Sequence, residues 1–354
     1  MANKKHNPKV LVVATSRKTR GGITSVVKAH ETGEQWKKYH CRWIQTHRDG
    51  PTWRKLWYLV TALIEYIILL PFYDIVHIHV ATTVSAKRKY LFFKLAKLYG
   101  KKVIFHFHPS NEKFLFEPEN QKLYRYLFSN ADLVLVLSEQ WKRWIKEALG
   151  LTEHIEVLYN PCPKVNRTEA YREKVILFAG TIIPRKGYET LIRAFGKIAT
   201  KYPNWKVYLA GNGETDKAQE IISMLKIDNQ VKLLGWVSGE KKERAFQKAS
   251  IFVLASDGEG FPMGVLDAWA YGIPCVMTPV GGIPDLVKDG ADGLIFPVGD
   301  IDKLATCMEK LITNDNMRMR IVENTDKMVY GMLSVEQINK RLGQIYKKVY
   351  NSNH

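Results

Sequence analysis

Short apolar runs alternate with helix-period segments along almost the whole 354-residue chain. Each run carries four to seven apolar or small residues and ends at a turn signal. That alternation is the pattern of strands buried on both faces with helices crossing between them. It constrains the chain to an α/β architecture with parallel sheets. In the first half the runs are KVLVVA (9–14), DIVHIHV (74–80), KVIFHFH (102–108), DLVLVLS (132–138) and HIEVLYN (154–160). Pro161-Cys162-Pro163 then makes a stiff connector and a natural boundary. A second series follows with KVILFAG (174–180), WKVYLAG (205–211), QVKLLGW (230–236), SIFVLAS (250–256), PCVMT (274–278) and GLIF (293–296). Helical spacing follows most of these runs, as at 188–200 and 215–225. The expected organisation is two Rossmann-like domains facing an interdomain cleft: residues 1–163, residues 164–333, and a C-terminal helix within 334–354 that packs back on the first domain.

Charge is distributed unevenly. The chain has 53 Lys and Arg against 35 Asp and Glu, a net +18. Residues 1–163 hold 26 basic and 13 acidic residues, so most of the excess lies in the first half. A basic face suits anionic lipid or diphosphate-bearing substrates. No nucleic-acid motif accompanies it, so nucleic acid is not expected as a partner. Four well-separated cysteines indicate reduced thiols and a cytoplasmic protein. The opening MANKKHNPKVLVVA reads as a basic lead into a first strand rather than a signal peptide. Residues 56–73 (LWYLVTALIEYIILLPFY) are apolar, yet they contain Glu65 and Pro71. A buried or interfacial helix is expected there rather than a membrane span. With Trp53-Arg54-Lys55-Leu56-Trp57-Tyr58 before it, this stretch has the aromatic-plus-basic character of an interfacial anchor. The expectation is a protein peripheral to the inner face of the cell membrane.

Ligands of open α/β sheets bind beyond the carboxyl ends of the strands. After SIFVLAS comes Asp257-Gly258-Glu259-Gly260-Phe261-Pro262-Met263-Gly264, then a helix. Glycines there let the backbone approach a ligand, and the helix start offers free N–H groups and a positive dipole end to a diphosphate. Glu259 and Asp267, eight positions apart, can both address one ligand and suit hydrogen bonds to sugar and ribose hydroxyls. Arg185 and Lys186, in the loop after KVILFAG, would neutralise charge developing on a departing diphosphate. Gly211 and Gly213 form a glycine turn after the next strand. Val280-Gly281-Gly282-Ile283-Pro284-Asp285 is a further glycine loop, and Gly21-Gly22 follow the first strand of the chain. His77, His79, His106 and His108 make two HxH pairs on strands that are candidate neighbours. No acid or thiol close in sequence completes a metal set, so no metal is expected.

These motifs resemble the signature of family 4 retaining glycosyltransferases (glycosyl transferases group 1), which have the GT-B fold. Their Glu–seven residues–Glu pattern corresponds to Glu259 and Asp267, and their lysine-glycine pair to Lys186-Gly187. Three departures stand out: Asp267 is one methylene shorter than the usual Glu, Asp285 likewise stands for the usual Glu of the glycine loop 280–285, and Thr181 replaces the usual Arg of a GR pair. The resemblance implies that Glu259 contacts the donor sugar, the second acid the ribose, and Lys186, with Arg185 as a substitute cation, the diphosphate. It implies donor-binding roles for Gly21, Gly22, Gly211, Gly213, Gly260, Phe261, Pro262, Met263 and Gly264, and places His108 near the reacting centre. It further implies a nucleotide-sugar donor on the C-terminal domain, an acceptor on the N-terminal domain, retention of configuration, and no cofactor or metal. The expected activity is a hexosyltransferase-type transfer in bacterial-type polysaccharide biosynthesis, with a UDP-sugar favoured over a GDP-sugar and a glycan or lipid-diphosphate-linked acceptor. The competing readings are a non-catalytic GT-B scaffold or regulatory subunit and a nucleotide-sugar epimerase.

Overall fold

The computed structural model describes residues 7–167 and 172–352. The basic residues Lys4 and Lys5 and the end of the 334–354 segment lie outside them. The chain divides into two compact units, one of residues 1–161 with 335–354 and one of residues 162–334.

The first unit is built on six parallel strands: β1 (Val10–Ala14), β2 (Arg42–Gln45), β3 (Ile75–Val80), β4 (Lys102–Phe107), β5 (Leu133–Val136) and β6 (Ile155–Val157), in the order β2-β1-β3-β4-β5-β6. β1, β3 and β5 are buried at every position, as a sheet covered on both faces requires. The helices are α1 (Gly22–Glu31), α2 (Glu34–Lys38), α3 (Thr52–Leu69), α4 (Thr83–Leu98), α5 (Pro118–Ser129) and α6 (Glu139–Leu149). Local chemistry sets their starts. The Thr82 hydroxyl accepts from the Ser85 N–H to begin α4, and the Ser138 hydroxyl accepts from the Trp141 N–H to begin α6. Gly150, left-handed at φ 70°, ends α6. β2 is the strand the alternation does not announce. It is four residues long, with Arg42 exposed and Gln45 half-buried, and it joins the sheet at its edge.

The second unit repeats the scheme with β7 (Val175–Ala179), β8 (Lys206–Ala210), β9 (Val231–Leu233), β10 (Ile251–Leu254), β11 (Cys275–Met277) and β12 (Leu294–Ile295), ordered β12-β11-β10-β7-β8-β9. Its helices are α7 (Tyr188–Ile198), α8 (Thr215–Met224), α9 (Glu240–Lys248), α10 (Met263–Ala270), α11 (Ile283–Leu286), α12 (Ile301–Thr313) and α13 (Asp315–Tyr330). Asp300 and Asn314 cap α12 and α13 through their side chains. In each unit the strand order reverses beside the first strand: between β1 and β3 in one, between β7 and β10 in the other. Those reversals leave a crevice at the carboxyl ends of the strands.

After α13 the chain returns to the first unit as α14 (Val335–Asn351). Ile338, Leu342, Ile345, Tyr346 and Val349 join Val10, Val12, Trp43, Ile75 and Ile104 in one core. Polar contacts fix the same helix. Asn339 Oδ1 lies 2.8 Å from His30 Nδ1, and the Tyr346 hydroxyl lies 2.8 Å from His77 Nδ1.

α3 is the exception among the long helices. Only Ala62 and Tyr66 of its eighteen residues are buried. Trp53, Trp57, Ile64 and Ile68 are 66, 63, 55 and 62% exposed, and Phe72, just beyond the helix, is 69% exposed. The helix is long and apolar enough to cross a membrane by length and composition. Of the two sequence expectations for this stretch, a core helix is excluded by that exposure.

Candidate functional site

The reversal between β7 and β10 brings two loops together. The loop after β10 carries Glu259, which is 7% exposed. Its Oε1 accepts from Lys186 Nζ at 2.5 Å and from the Ser256 hydroxyl at 2.7 Å. Lys186 belongs to the loop after β7, as does Arg185, whose guanidinium donates to the Gly258 carbonyl at 2.5 Å and stands 4.0 Å from Glu259 Oε2. The backbones are joined too. Asp257 N–H donates to the Arg185 carbonyl at 2.8 Å, and the Thr278 hydroxyl, past β11, donates to the Ser256 carbonyl at 2.6 Å. A carboxylate and two cations are therefore held together by neighbouring loops rather than left on flexible stems.

Two glycines make this close approach possible. A Cβ on Gly187 would sit 1.9 Å from the Ala255 carbonyl oxygen, at a φ of 67°. A Cβ on Gly281 would sit 2.4 Å from the Glu259 carbonyl oxygen, at a φ of 59°. Both positions combine a left-handed backbone with no room for a side chain. Gly282 lies against the ring of Phe261, itself buried, so the 280–285 loop backs the 259–261 segment.

Pro262 leads into α10 at Met263 with no side-chain cap and no acid in the first turn. The free N–H groups of that turn, at Met263 and Gly264, give an anion a positive helix end. Gly211 and Gly213 border the same crevice from β8. The Asn212 carbonyl between them accepts from Ile182 N–H, and Gly213 pairs with Ile182 as an isolated bridge.

Asp267 has a cation partner of its own. Its Oδ2 accepts from Lys242 Nζ of α9 at 2.7 Å. Burial pushes its carboxyl above the ordinary aspartate range, and Lys242 works against that shift. The shorter side chain is thus engaged by a cation that the motif alone does not reveal. Ser256, Thr278 and Lys242 are the site residues sequence reasoning missed. Ser256 and Thr278 each end a buried apolar run, and that position was the available signal. Lys242 carried none, because α9 meets α10 only through tertiary packing.

In the first unit, Gly21 has a φ of 141° and precedes α1, and a Cβ there would meet nothing within 4 Å. Packing does not demand glycine at Gly21; its backbone conformation does, while Gly22 is the first residue of α1. His108 follows β4 and is buried, with Nε2 2.9 Å from His79 Nδ1. Desolvation, then the nearby charges of His30 and Lys89, bring its pKa to about 3. It belongs to a stack with His77, His79 and His106, and His30 of α1 lies against His106 with ring centroids 6.3 Å apart. Burial holds all five imidazoles neutral. One ligand nitrogen from each of His77, His79 and His106 lies within 4.8 Å of the others, so among the described residues these three could hold a metal ion.

Two Rossmann-like units, each with a six-stranded parallel sheet whose strand order reverses beside its first strand, define a GT-B fold. Residues 164–328 match the family model of glycosyl transferases group 1, and residues 5–163 match that of glycosyltransferase family 4. The chain belongs to this family of GT-B glycosyltransferases. It is 32% identical over 176 residues, 49% of this chain and 45% of the relative, to an uncharacterized glycosyltransferase of Methanocaldococcus jannaschii. It is 30% identical over 166 residues, 46% of this chain and 47% of the relative, to the lipopolysaccharide core biosynthesis glycosyltransferase LpsE of Rhizobium meliloti. The chain thus spans less than half the length of these two relatives. Among solved structures, Anabaena HepE in complex with UDP-glucose superposes with a TM-score of 0.77 at 19% identity, covering 96% of this chain and 100% of that one.

Proposed function

We propose that the protein transfers a sugar from a nucleotide-sugar, a UDP-sugar in preference to a GDP-sugar, to a glycan or lipid-diphosphate-linked acceptor in polysaccharide biosynthesis. The observation that carries this reading is the Glu259–Lys186 pair, with Arg185 beside it, at the reversal between β7 and β10. In this reading Glu259 holds hydroxyls of the donor sugar. Lys186, Arg185 and the N–H groups that open α10 take the diphosphate and stabilise it as it leaves. Asp267 or its partner Lys242 meets the ribose. The leaving diphosphate accepts the proton of the attacking acceptor hydroxyl, and the anomeric configuration is retained. Fixed cations and a helix end supply what a metal would, so transfer survives chelation.

The acceptor lies on the first unit, the family resemblance gives His108 a role at the reacting centre, and the exposed face of α3 attaches the protein to an anionic membrane surface. The UDP-glucose complex of HepE and the lipopolysaccharide assignment of LpsE support the donor class and the pathway class.

The test is a thermal-shift screen with UDP-, GDP- and ADP-sugars, followed by transfer assays on Glu259→Ala. A stabilising UDP-sugar and a variant that folds but does not transfer are expected. Full activity in Glu259→Ala overturns the site assignment and favours a scaffold.

A further inference from the structure

The stack of imidazoles in the first unit runs from the core to the end of β4. β3 and β4 pair in register with His79 opposite His106, and the period of two puts His77, His79, His106 and His108 on one face. His77, His79 and His106 are wholly buried. His108 closes the series just past β4. Its backbone N–H donates to the Val80 carbonyl at 2.7 Å, so the ring is carried by the sheet rather than by a loose loop.

The bond between His79 and His108 decides what His108 can offer. His79 Nδ1 and His108 Nε2 are 2.9 Å apart. Burial keeps both rings neutral, so each carries one proton and only one of them donates. Were His108 the donor, His79 would accept at Nδ1 and carry its own proton on Nε2. That nitrogen is buried with no hydrogen-bond partner among the described residues. As with backbone groups, a buried N–H without an acceptor is rarer than a buried acceptor without a donor. With His79 as donor, its Nε2 is a bare lone pair and the proton of His108 sits on Nδ1. His108 Nδ1 makes no hydrogen bond among the described residues and, unlike the nitrogens behind it, is not sealed from solvent.

His79 is itself fixed from behind. Lys89 of α4 is buried and has no carboxylate partner among the described residues. Its Nζ donates to the His79 carbonyl at 2.5 Å and to the Ser85 hydroxyl at 3.1 Å. An amine so deeply buried is costly unless its donors are used, and these tie α4 to the strand end that carries His79.

We propose that His79 is a positioning residue for the transfer reaction: its Nδ1–H donates to His108 Nε2, which leaves His108 with an N–H at Nδ1 to give to a substrate oxygen beyond the end of β4. The inference rests on the transferase reading above and assigns His108 its form, a neutral hydrogen-bond donor and not a proton acceptor. An oxygen that gains negative charge during transfer is stabilised by such a fixed donor. The acceptor's proton then goes to the leaving diphosphate, as that reading has it. Lys89 stands one step further back and holds the main chain of His79.

The test reads the tautomer directly, with kinetics beside it. The full chain is labelled with heavy-nitrogen histidine, and long-range proton–nitrogen NMR spectra are recorded for the wild type, His79→Leu, His79→Asn and Lys89→Met, with His108→Gln identifying the His108 signals. The wild type is expected to show a protonated Nδ1 and a bare Nε2 on both His79 and His108. His79→Leu is expected to shift His108 toward the Nε2–H form. It also lowers the rate of UDP release from UDP-glucose by about 10- to 100-fold, with KM and the thermal shift with UDP-glucose little changed. His79→Asn keeps an N–H near the place of Nδ1 and restores most of the rate. Lys89→Met lowers the rate more weakly than His79→Leu, and it carries the kinetic arm if the leucine variant does not fold.

A bare Nδ1 on His108 in the wild type overturns the donor assignment. A rate unchanged in His79→Leu and Lys89→Met overturns the positioning role, and so does a loss in His79→Asn as large as in His79→Leu or one that simply follows melting temperature. If the wild type releases no UDP and no nucleotide-sugar shifts its melting, the transferase reading fails while the NMR spectra still decide the tautomer.

Discussion

At the scale of single residues, the donor crevice depends on Glu259 being held from two sides. Lys186 and Ser256 share its Oε1, so its rotamer is set before any ligand arrives. Glu259→Gln keeps the shape and removes the charge. It is expected to lower kcat by about 100-fold or more, with melting temperature little changed. Gly281→Ala tests the packing instead. Its Cβ falls against the Glu259 carbonyl oxygen at a positive φ, so a loss of about 1–3 kcal/mol in stability and a weaker donor-induced thermal shift are expected. Asp267 gives a pH-dependent prediction. Its folded pKa is raised, so relative to the unfolded chain it favours folding in acid and loses that contribution as pH rises through the folded value. The ratio of Asp267→Asn to wild-type stability therefore rises with pH, measured by denaturant melts across the acid range. Glu259 and Lys186-Gly187 were legible in the sequence because each sits at a strand end within a motif. The engagement of Asp267 by Lys242 was not, because it is made by two helices brought together only in the fold.

Among elements, β3 and β4 with α1 carry the buried imidazoles. His30 has its pKa lowered to about 4 and His108 to about 3, and those of His77, His79 and His106 lie well below the ordinary value. Lowered values make these groups stabilising above pH 6.5 and costly below it. The unfolded chain takes up protons first, and each histidine then removes about 1.4 kcal/mol of stability per pH unit. A steep fall in denaturation midpoint is expected between pH 6.5 and about 4, and His106→Leu flattens it. The two HxH pairs predicted this shared face by their period of two. His30 could not be foreseen, since it reaches the cluster from a helix. The alternation of apolar runs showed the long buried strands and the two series, because burial on both faces writes itself as continuous apolar sequence. It did not show β2, an edge strand whose Arg42 points to solvent. It also left α3 open between core and interface, because apolar composition reads alike in both places. Exposure of Trp57, Ile64 and Ile68 rules out the core.

For the whole molecule, the proposed function assigns a different chemistry to each unit: nucleotide-sugar binding to the second, acceptor and membrane binding to the first. Transfer measured on a water-soluble acceptor analogue is expected to continue in EDTA, because the proposed mechanism gives the diphosphate to Lys186, Arg185 and the start of α10. Loss of activity restored by a divalent cation would contradict it. Association with anionic vesicles is expected to weaken as salt rises, since the cations of the first unit act across solvent, while the UDP-sugar shift changes less because its contacts are buried.

One feature of the architecture governs how such a molecule is made. The first unit is closed by α14, whose Asn339 and Tyr346 meet His30 and His77 and whose apolar face fills the core beneath β1. A chain emerging from the ribosome presents residues 7–161 with that face uncovered until the second unit has been synthesised. The second unit is contiguous and free to fold first, so its assembly precedes completion of the first, reversing the usual N-to-C order. A nascent chain stalled before Val335 is therefore expected to hold a protease-resistant second unit and a protease-sensitive first one.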